Sequence, residues 1–220
     1  MKRIYLHPLP LRIWHWVNGV LVIALIITGE YLRLHGVATL KPHNPFLVWH
    51  KWMGLAMIIT TVVWYACALS RVGQRRHYRI GRRDLAGVIA QARYYLISIF
   101  TGGANPFKAS EEAKYNPLQK FSYIAVMFFV LPMLGVTGVL FLDIPVVRQF
   151  LLSHALFGLL GALHLVFAYA AVLFLIIHIY MTTLGDTLFS HIKAMITGYE
   201  EQPDAANRED CVSGQERRLL

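Results

Sequence analysis

Four histidines stand inside long apolar stretches of the sequence, and their side chains are the ones with evident chemistry: His15, His50, His164 and His178. A neutral imidazole is a strong ligand for transition metals, haem iron included. Carboxylates and thiolates are missing from the immediate neighbourhood of all four, which disfavours other metal ions held by mixed oxygen and sulfur ligands. The residue types therefore favour haem iron over other metal ions, and the alternative for any one of these histidines is a hydrogen bond to a neighbouring helix.

A short local repeat surrounds the first two histidines. His15 and His50 each follow a Trp and precede a Gly by four residues, in the pattern Trp-His-x-x-x-Gly that ends at Gly19 and Gly54. Residues four apart lie on one face of a helix, one turn from each other. A glycine there removes the side chain that would collide with a large planar ligand, so we expect Gly19 and Gly54 to line the cofactor sites.

The other two histidines share one helix face. His164 and His178 are fourteen residues apart, which in an α-helix leaves them about 40° apart in azimuth with a rise of roughly 21 Å. His154 competes for the role of ligand, but it points away from the face that carries His178 and stands at the edge of the apolar stretch. One helix therefore offers two imidazoles at two depths.

The helices that carry these histidines are predicted from stretches of sequence without charged residues. The 220 residues are 56% hydrophobic and 15% charged, against about 25% charged residues in soluble proteins. Since a bilayer-spanning helix needs about 20 mostly apolar residues, we predict an all-α membrane protein, a four-helix bundle with cofactor sites in its core. Residues 1–200 form its single domain, and 201–220 form a polar, disordered cytoplasmic tail.

Four stretches lack Asp, Glu, Lys and Arg: Ile13–Gly29, Trp52–Ser70, Phe121–Leu142 and Gln149–Gly185. The predicted helices span about 12–34, 46–70, 119–142 and 156–183.

Charge predicts the orientation of the chain. The net charge is +9, and 17 of the 21 Lys and Arg residues fall in the N-terminus, the middle loop and the tail. By the positive-inside rule these segments are cytoplasmic, so we explain the basic excess by topology and expect no nucleic-acid partner. Within the middle loop, Asp84–Phe100 has helical amphipathic spacing and predicts a helix lying in the inner interface. Depth then pairs His15 with His178 on the inner side and His50 with His164 on the outer side, as expected for two haems b stacked in one bundle.

The sequence resembles the di-haem cytochrome b subunits of respiratory formate dehydrogenases, and equally the related thiosulfate reductase and nickel-hydrogenase subunits. The resemblance rests on the two histidine-bearing helices, on His178-Ile179-Tyr180 and on the run Ile192–Glu201 that follows the fourth helix. It implies a multi-pass protein of the bacterial inner membrane, with both termini cytoplasmic. Its partners would be an iron–sulfur or multihaem subunit on the periplasmic face, the catalytic subunit behind it, and membrane menaquinone or ubiquinone. The whole complex could form a higher oligomer.

The same resemblance implies a quinone site on the cytoplasmic side, just before the third helix. The matching residues are Asn116, which can hydrogen-bond a quinone carbonyl, and Gln119 and Lys120, which can assist proton delivery. Pro117 and Leu118 depart from the small residues of the formate dehydrogenase members. Asn116-Pro117 is also the pattern of a helix cap, so a structural role is the alternative.

Two other functions fit parts of the pattern. One is a free-standing haem b protein that passes quinol electrons to small oxidants without a partner subunit. The other is a four-helix transporter that uses membrane histidines for protons or metal ions. Transporters favour inverted repeats and membrane carboxylates, and here the repeat is confined to Trp-His-x-x-x-Gly, while Glu30 and Asp143 fall at predicted helix ends. With only two cysteines and no Cys-x-x-Cys, iron–sulfur chemistry must come from a partner.

Overall fold

A computed structural model describes residues 2–36, 41–70, 81–98, 101–103, 105–107, 116–142, 154–184 and 189–202. Outside this part lie the predicted interfacial stretch 146–153, the predicted tail beyond residue 202 and most of the basic middle loop. By its contacts the chain forms two compact units, Met1–His15 with Ile177–Leu220 and Trp16–Ile176.

The predicted helices are confirmed to within a few residues. They are α1 (Leu9–His35), α2 (Pro45–Ser70), α4 (Pro117–Leu140) and α5 (His154–Thr182), and between them lies α3 (Arg82–Arg93), which continues as a π turn over Tyr94–Ser98. A short helix, α6 (Ser190–Thr197), and two strands, β1 (Lys2–Tyr5) and β2 (Tyr199–Gln202), complete the described elements. The chain is a multi-pass membrane protein, since four of its helices are long and apolar enough to cross a bilayer.

Local signals set where two of the spans begin. Pro45 opens α2, and the Oδ1 atom of Asn44 accepts the backbone N–H of Phe46 at 2.9 Å. Pro117 likewise opens α4 after Asn116. Proline at the first helical position loses no hydrogen bond, and an Asn before it covers an N–H that the helix leaves without a partner.

The larger unit closes into a ring of four helices. α1 meets α2 where Thr60 donates to Asn18 (2.9 Å), and α2 meets α4 where Tyr65 donates to the Met127 carbonyl. α4 meets α5 through aromatic pairs, and α5 returns to α1 where the Tyr169 hydroxyl donates to Glu30. Many large apolar side chains on the outward faces are exposed, as lipid contact requires. The four-helix bundle predicted from the sequence is therefore confirmed.

A π turn interrupts α4 at Val126–Val130, and its cause is Pro132. Proline has no N–H and its ring would clash with the preceding turn of a regular α-helix. The Leu131 N–H donates five residues back to Val126, so the Met127 carbonyl is left without a helical donor. The hydroxyl of Tyr65 donates to that carbonyl. The hydroxyl of Tyr65 thus ties α2 to the π turn of α4, a contact that hydropathy does not reveal.

The smaller unit brings the two ends of the described chain together. β1 pairs antiparallel with β2, from Lys2 opposite Gln202 to Tyr5 opposite Tyr199. α6 ends at Gly198, whose φ of 89° suits glycine and whose carbonyl accepts the N–H groups of Leu6 (2.9 Å) and His7 (3.2 Å). The run Ile192–Glu201, which carries part of the family resemblance, therefore forms most of α6 and most of β2. Neither α6 nor this strand pair was predicted from the sequence.

Candidate functional site

Each unit contains one pair of the predicted histidines. In the larger unit the ring centres of His50 and His164 lie 6.4 Å apart, with ring planes at 73°. In the smaller unit the ring centres of His15 and His178 lie 5.9 Å apart, with ring planes at 53°. The structure thus brings together the same two pairs that depth along the sequence predicts.

The ring spacing fits a metal centre held between two imidazoles. An imidazole nitrogen binds a transition metal at about 2 Å, so two imidazoles on opposite sides of one ion have ring centres about 6 Å apart. Both observed spacings agree with that value. No cluster of three or more His, Cys, Asp and Glu that could hold a bare metal ion occurs in the described part of the chain. Each pair therefore has the spacing at which two imidazoles can bind one metal ion.

Threonines contact both histidines of the larger unit. The Oγ1 atom of Thr28 on α1 lies 2.9 Å from Nδ1 of His50, and that of Thr137 on α4 lies 2.7 Å from Nδ1 of His164. Both threonines are buried. Sequence analysis missed these side chains, because a threonine in an apolar span is common and its partner lies on another helix.

A glycine beside each threonine faces the same ring. A Cβ atom added to Gly29 would lie 3.1 Å from Cε1 of His50, and one added to Gly138 would lie 3.6 Å from Cε1 of His164. The dipeptide Thr-Gly occurs four times in the sequence, at residues 28–29, 101–102, 137–138 and 197–198, and the two that fall within predicted spans, 28–29 and 137–138, each lie against a candidate ligand. The dipeptide could therefore have pointed to both positions only in combination with the predicted spans.

The glycines predicted from the Trp-His repeat lie in open surroundings. Among the described residues, a Cβ at Gly19 would meet no atom within 4 Å, and one at Gly54 would meet only Leu25, at 4.0 Å. No described side chain therefore fills the position directly beside Gly19, and only Leu25 reaches the one beside Gly54.

The residues of the predicted quinone site form the start of α4. The Oδ1 atom of Asn116 accepts the Gln119 N–H (2.7 Å), and the Asn116 N–H donates to Gln119 Oε1 (3.2 Å), which makes a reciprocal helix cap. The Asn116 amide also donates to the Tyr95 hydroxyl (3.1 Å). Asn116 and Gln119 therefore have a structural role, and Asn116 keeps one amide hydrogen beyond the bonds described.

Lys120 ties the same helix start to α3. Its ammonium pairs with the Asp84 carboxylate at 2.8 Å. The Gly81 N–H and then Lys120 hold the pKa of the Asp84 carboxyl below its ordinary value, and burial raises the pKa of the Tyr95 hydroxyl. A small group of polar and charged side chains is thus held where α3 meets α4.

The basic residues near the histidines have partners within the chain. Arg33 binds Glu30 through two nitrogens (2.9 and 2.5 Å), Lys51 donates to the Leu142 carbonyl (2.7 Å), and Arg12 donates to the Ile196 carbonyl. The competing histidine, His154, begins α5, and its side chain lies outside the described part of the structure.

Comparison with known proteins gives two matches. Residues 6–198 match the family described as prokaryotic cytochrome b561. The chain is 32% identical over 215 residues to the putative cytochrome YdhU of Escherichia coli (strain K12), and the alignment covers 90% of this chain and 75% of that protein. The family match includes all four candidate histidines.

Proposed function

This chain belongs to the prokaryotic cytochrome b561 family, and we propose on that basis that it is the di-haem cytochrome b subunit of a respiratory oxidoreductase complex. Membership implies haem b and electron transfer. The proposal is more specific: two haems b per chain, one between His50 and His164 and one between His15 and His178. Electrons then pass between an iron–sulfur or multihaem partner on the outer face and the membrane quinone.

The ring spacing at the two histidine pairs carries this proposal. Four histidines in apolar helices could each bond to a neighbouring helix and nothing more, but such bonds do not require two pairs at about 6 Å between ring centres. When bound, haem iron supplies a one-electron couple between its ferric and ferrous states. The protein's part is to orient the rings, to exclude water with its apolar helices and to set the potential.

We place the quinone beside the junction of α3 and α4. Asn116 has one amide hydrogen that can be donated to a carbonyl oxygen, and Lys120 and Asp84 form a charged pair beside it. Reduction of a quinone consumes protons, and a Lys–Asp pair at the edge of the apolar region can transfer them from water. Gln119, bound to the Asn116 backbone, keeps this helix start in place.

Haem stoichiometry tests the central proposal. We expect a dithionite-reduced minus oxidised spectrum of the purified chain to show b-type haem, and quantitation to give two haems per chain. One haem or none would contradict it. The partner is tested separately by co-purification from mild detergent: a chain that carries two haems, oxidises quinol and never retains an outer subunit would identify the free-standing oxidase instead.

A further inference from the structure

We propose that Thr28 and Thr137 are positioning residues, which determine the nitrogen atom that His50 and His164 present to the haem iron. Through the same hydrogen bonds they lower the reduction potential of the haem between these two histidines. The inference rests on the proposed function, because it requires haem iron between these two histidines. It concerns one pair alone and assigns a role to side chains that are not themselves ligands.

The direction of the two hydrogen bonds follows from what each threonine hydroxyl already does. Thr28 Oγ1 lies 2.8 Å from the Ala24 carbonyl, and Thr137 Oγ1 lies 2.7 Å from the Met133 carbonyl. A carbonyl only accepts and a hydroxyl has one hydrogen, so that hydrogen goes to the backbone one turn earlier. The hydroxyl oxygen is then left to accept at 2.9 and 2.7 Å from Nδ1 of the two histidines.

This direction fixes the tautomer of both imidazoles. A ring that donates from Nδ1 carries its hydrogen there, and in a neutral imidazole the lone pair is then on Nε2. Nε2 is therefore the nitrogen available to the metal at both His50 and His164. If the threonines donated instead, Nε2 would carry the hydrogen and could not bind iron.

The glycine after each threonine lies beside the adjacent edge of the same imidazole ring. A Cβ at Gly29 would lie 3.1 Å from Cε1 of His50, closer than an ordinary contact, and one at Gly138 would lie in ordinary contact with Cε1 of His164, at 3.6 Å. Each Thr-Gly pair thus meets the ring at two neighbouring atoms, Nδ1 and Cε1. α1 supplies Thr28 and Gly29, and α4 supplies Thr137 and Gly138. Two separate helices therefore make the same kind of contact with the two candidate ligands.

The hydrogen bond also has an electronic consequence. A ligand imidazole that donates to an acceptor becomes a stronger electron donor, which stabilises ferric iron and lowers the potential. Both threonines are buried among apolar helices, 8% and 2% exposed, so water does not replace a lost acceptor. Loss of either hydroxyl should raise the potential of this haem and leave the other haem unchanged.

The test compares Thr28→Val and Thr137→Val with Thr28→Ser and Thr137→Ser in the full-length protein. Valine keeps the shape of threonine without its hydroxyl, and serine keeps the hydroxyl. We expect each valine variant to shift one haem to a higher midpoint potential and to change the low-spin ferric EPR signal of that haem. The serine variants should retain both haems and remain close to the wild-type potentials and signals.

Thr61→Val is the matched control. Thr61 is a buried threonine on α2 whose hydroxyl donates to the Met57 carbonyl (2.8 Å), and no contact with a histidine is described for it. Its replacement should leave both potentials and both EPR signals unchanged.

The outcomes separate this inference from the proposed function. Wild-type protein with two haems, and valine variants with unaltered potentials and EPR signals, would overturn the role of the threonines while leaving the two haems in place. If valine prevents haem incorporation, recovery of the haem in the serine variant supports the inference, and equal loss in both contradicts it. If His50→Ala and His164→Ala each keep both haems, the proposed ligand pair itself is wrong.

Discussion

At the scale of single residues, small side chains surround the histidines of the proposed haem site between α2 and α5. A side chain at residue 29 would press against the ring of His50, which Thr28 contacts through a hydrogen bond. A ring fixed at one atom cannot move freely away from a new side chain at the next atom. The site therefore tolerates little added volume at residue 29.

We expect Gly29→Val to weaken haem binding at the His50–His164 pair by roughly tenfold, the lower end for residues that support a metal ligand. The reason is that an added Cβ would already lie 3.1 Å from Cε1 of His50. Haem per chain, measured after purification, should fall toward one. Gly135→Val is the control, because its nearest neighbour is the side chain of Ile58 rather than a histidine; it should keep both haems.

The choice between two histidines of α5 is tested in the same way. We expect His164→Ala to abolish one haem, because His164 lies opposite His50, and His154→Ala to leave two. Haem quantitation with the reduced-minus-oxidised spectrum measures both. The reverse result would transfer the role of ligand to His154.

At the scale of elements, α3 and the start of α4 are joined by a close contact and one ion pair. A Cβ added to Gly87 would lie 2.6 Å from Cγ of Pro117, so the helices touch where α3 has no side chain. Lys120 and Asp84 add a pair with 13% and 28% of their side chains exposed. An ion pair of this exposure is worth about 1 kcal/mol or less.

We expect the attachment of α3 to weaken in acid and not near neutrality. The pKa of Asp84 is lowered in the folded protein, so its contribution is complete above the ordinary carboxyl pKa and is lost as the pH falls through the lowered value. Hydrogen exchange of the α3 amides against pH measures this. Asp84→Asn should remove the dependence, and a double-mutant cycle with Lys120→Gln should give coupling of about 1 kcal/mol or less. Equal acid sensitivity in Asp84→Asn would assign the effect to another group.

At the scale of the whole molecule, the distribution of charge predicts a definite orientation in the membrane. Since 17 of the 21 Lys and Arg residues belong to the N-terminus, the middle loop and the tail, we expect these on the cytoplasmic side. Alkaline phosphatase, active only outside the cytoplasm, should be active when fused after residue 40 or 148 and inactive after residue 76 or 220. Activity at the C-terminal fusion would reverse the sides of the two histidine pairs.

The sequence by itself determined the number of spans, their bounds and the histidines they carry. In a membrane, helix length and lack of charge are local properties, so four charge-free stretches were enough to predict α1, α2, α4 and α5. Depth along those helices also predicted the partners of His15 and His50, because residues at one depth of a bundle face a common core.

Only the tertiary structure decided what surrounds those histidines. Thr28 meets His50 and Thr137 meets His164 through the rotation and register of separate helices, which composition does not set. The same holds for the hydrogen bond of Tyr65 to the Met127 carbonyl, and for the pairing of β1 with β2, which are about 200 residues apart in sequence. The length and the charge of a span are properties of consecutive residues, whereas a hydrogen bond between two helices depends on how the helices are rotated and shifted relative to each other.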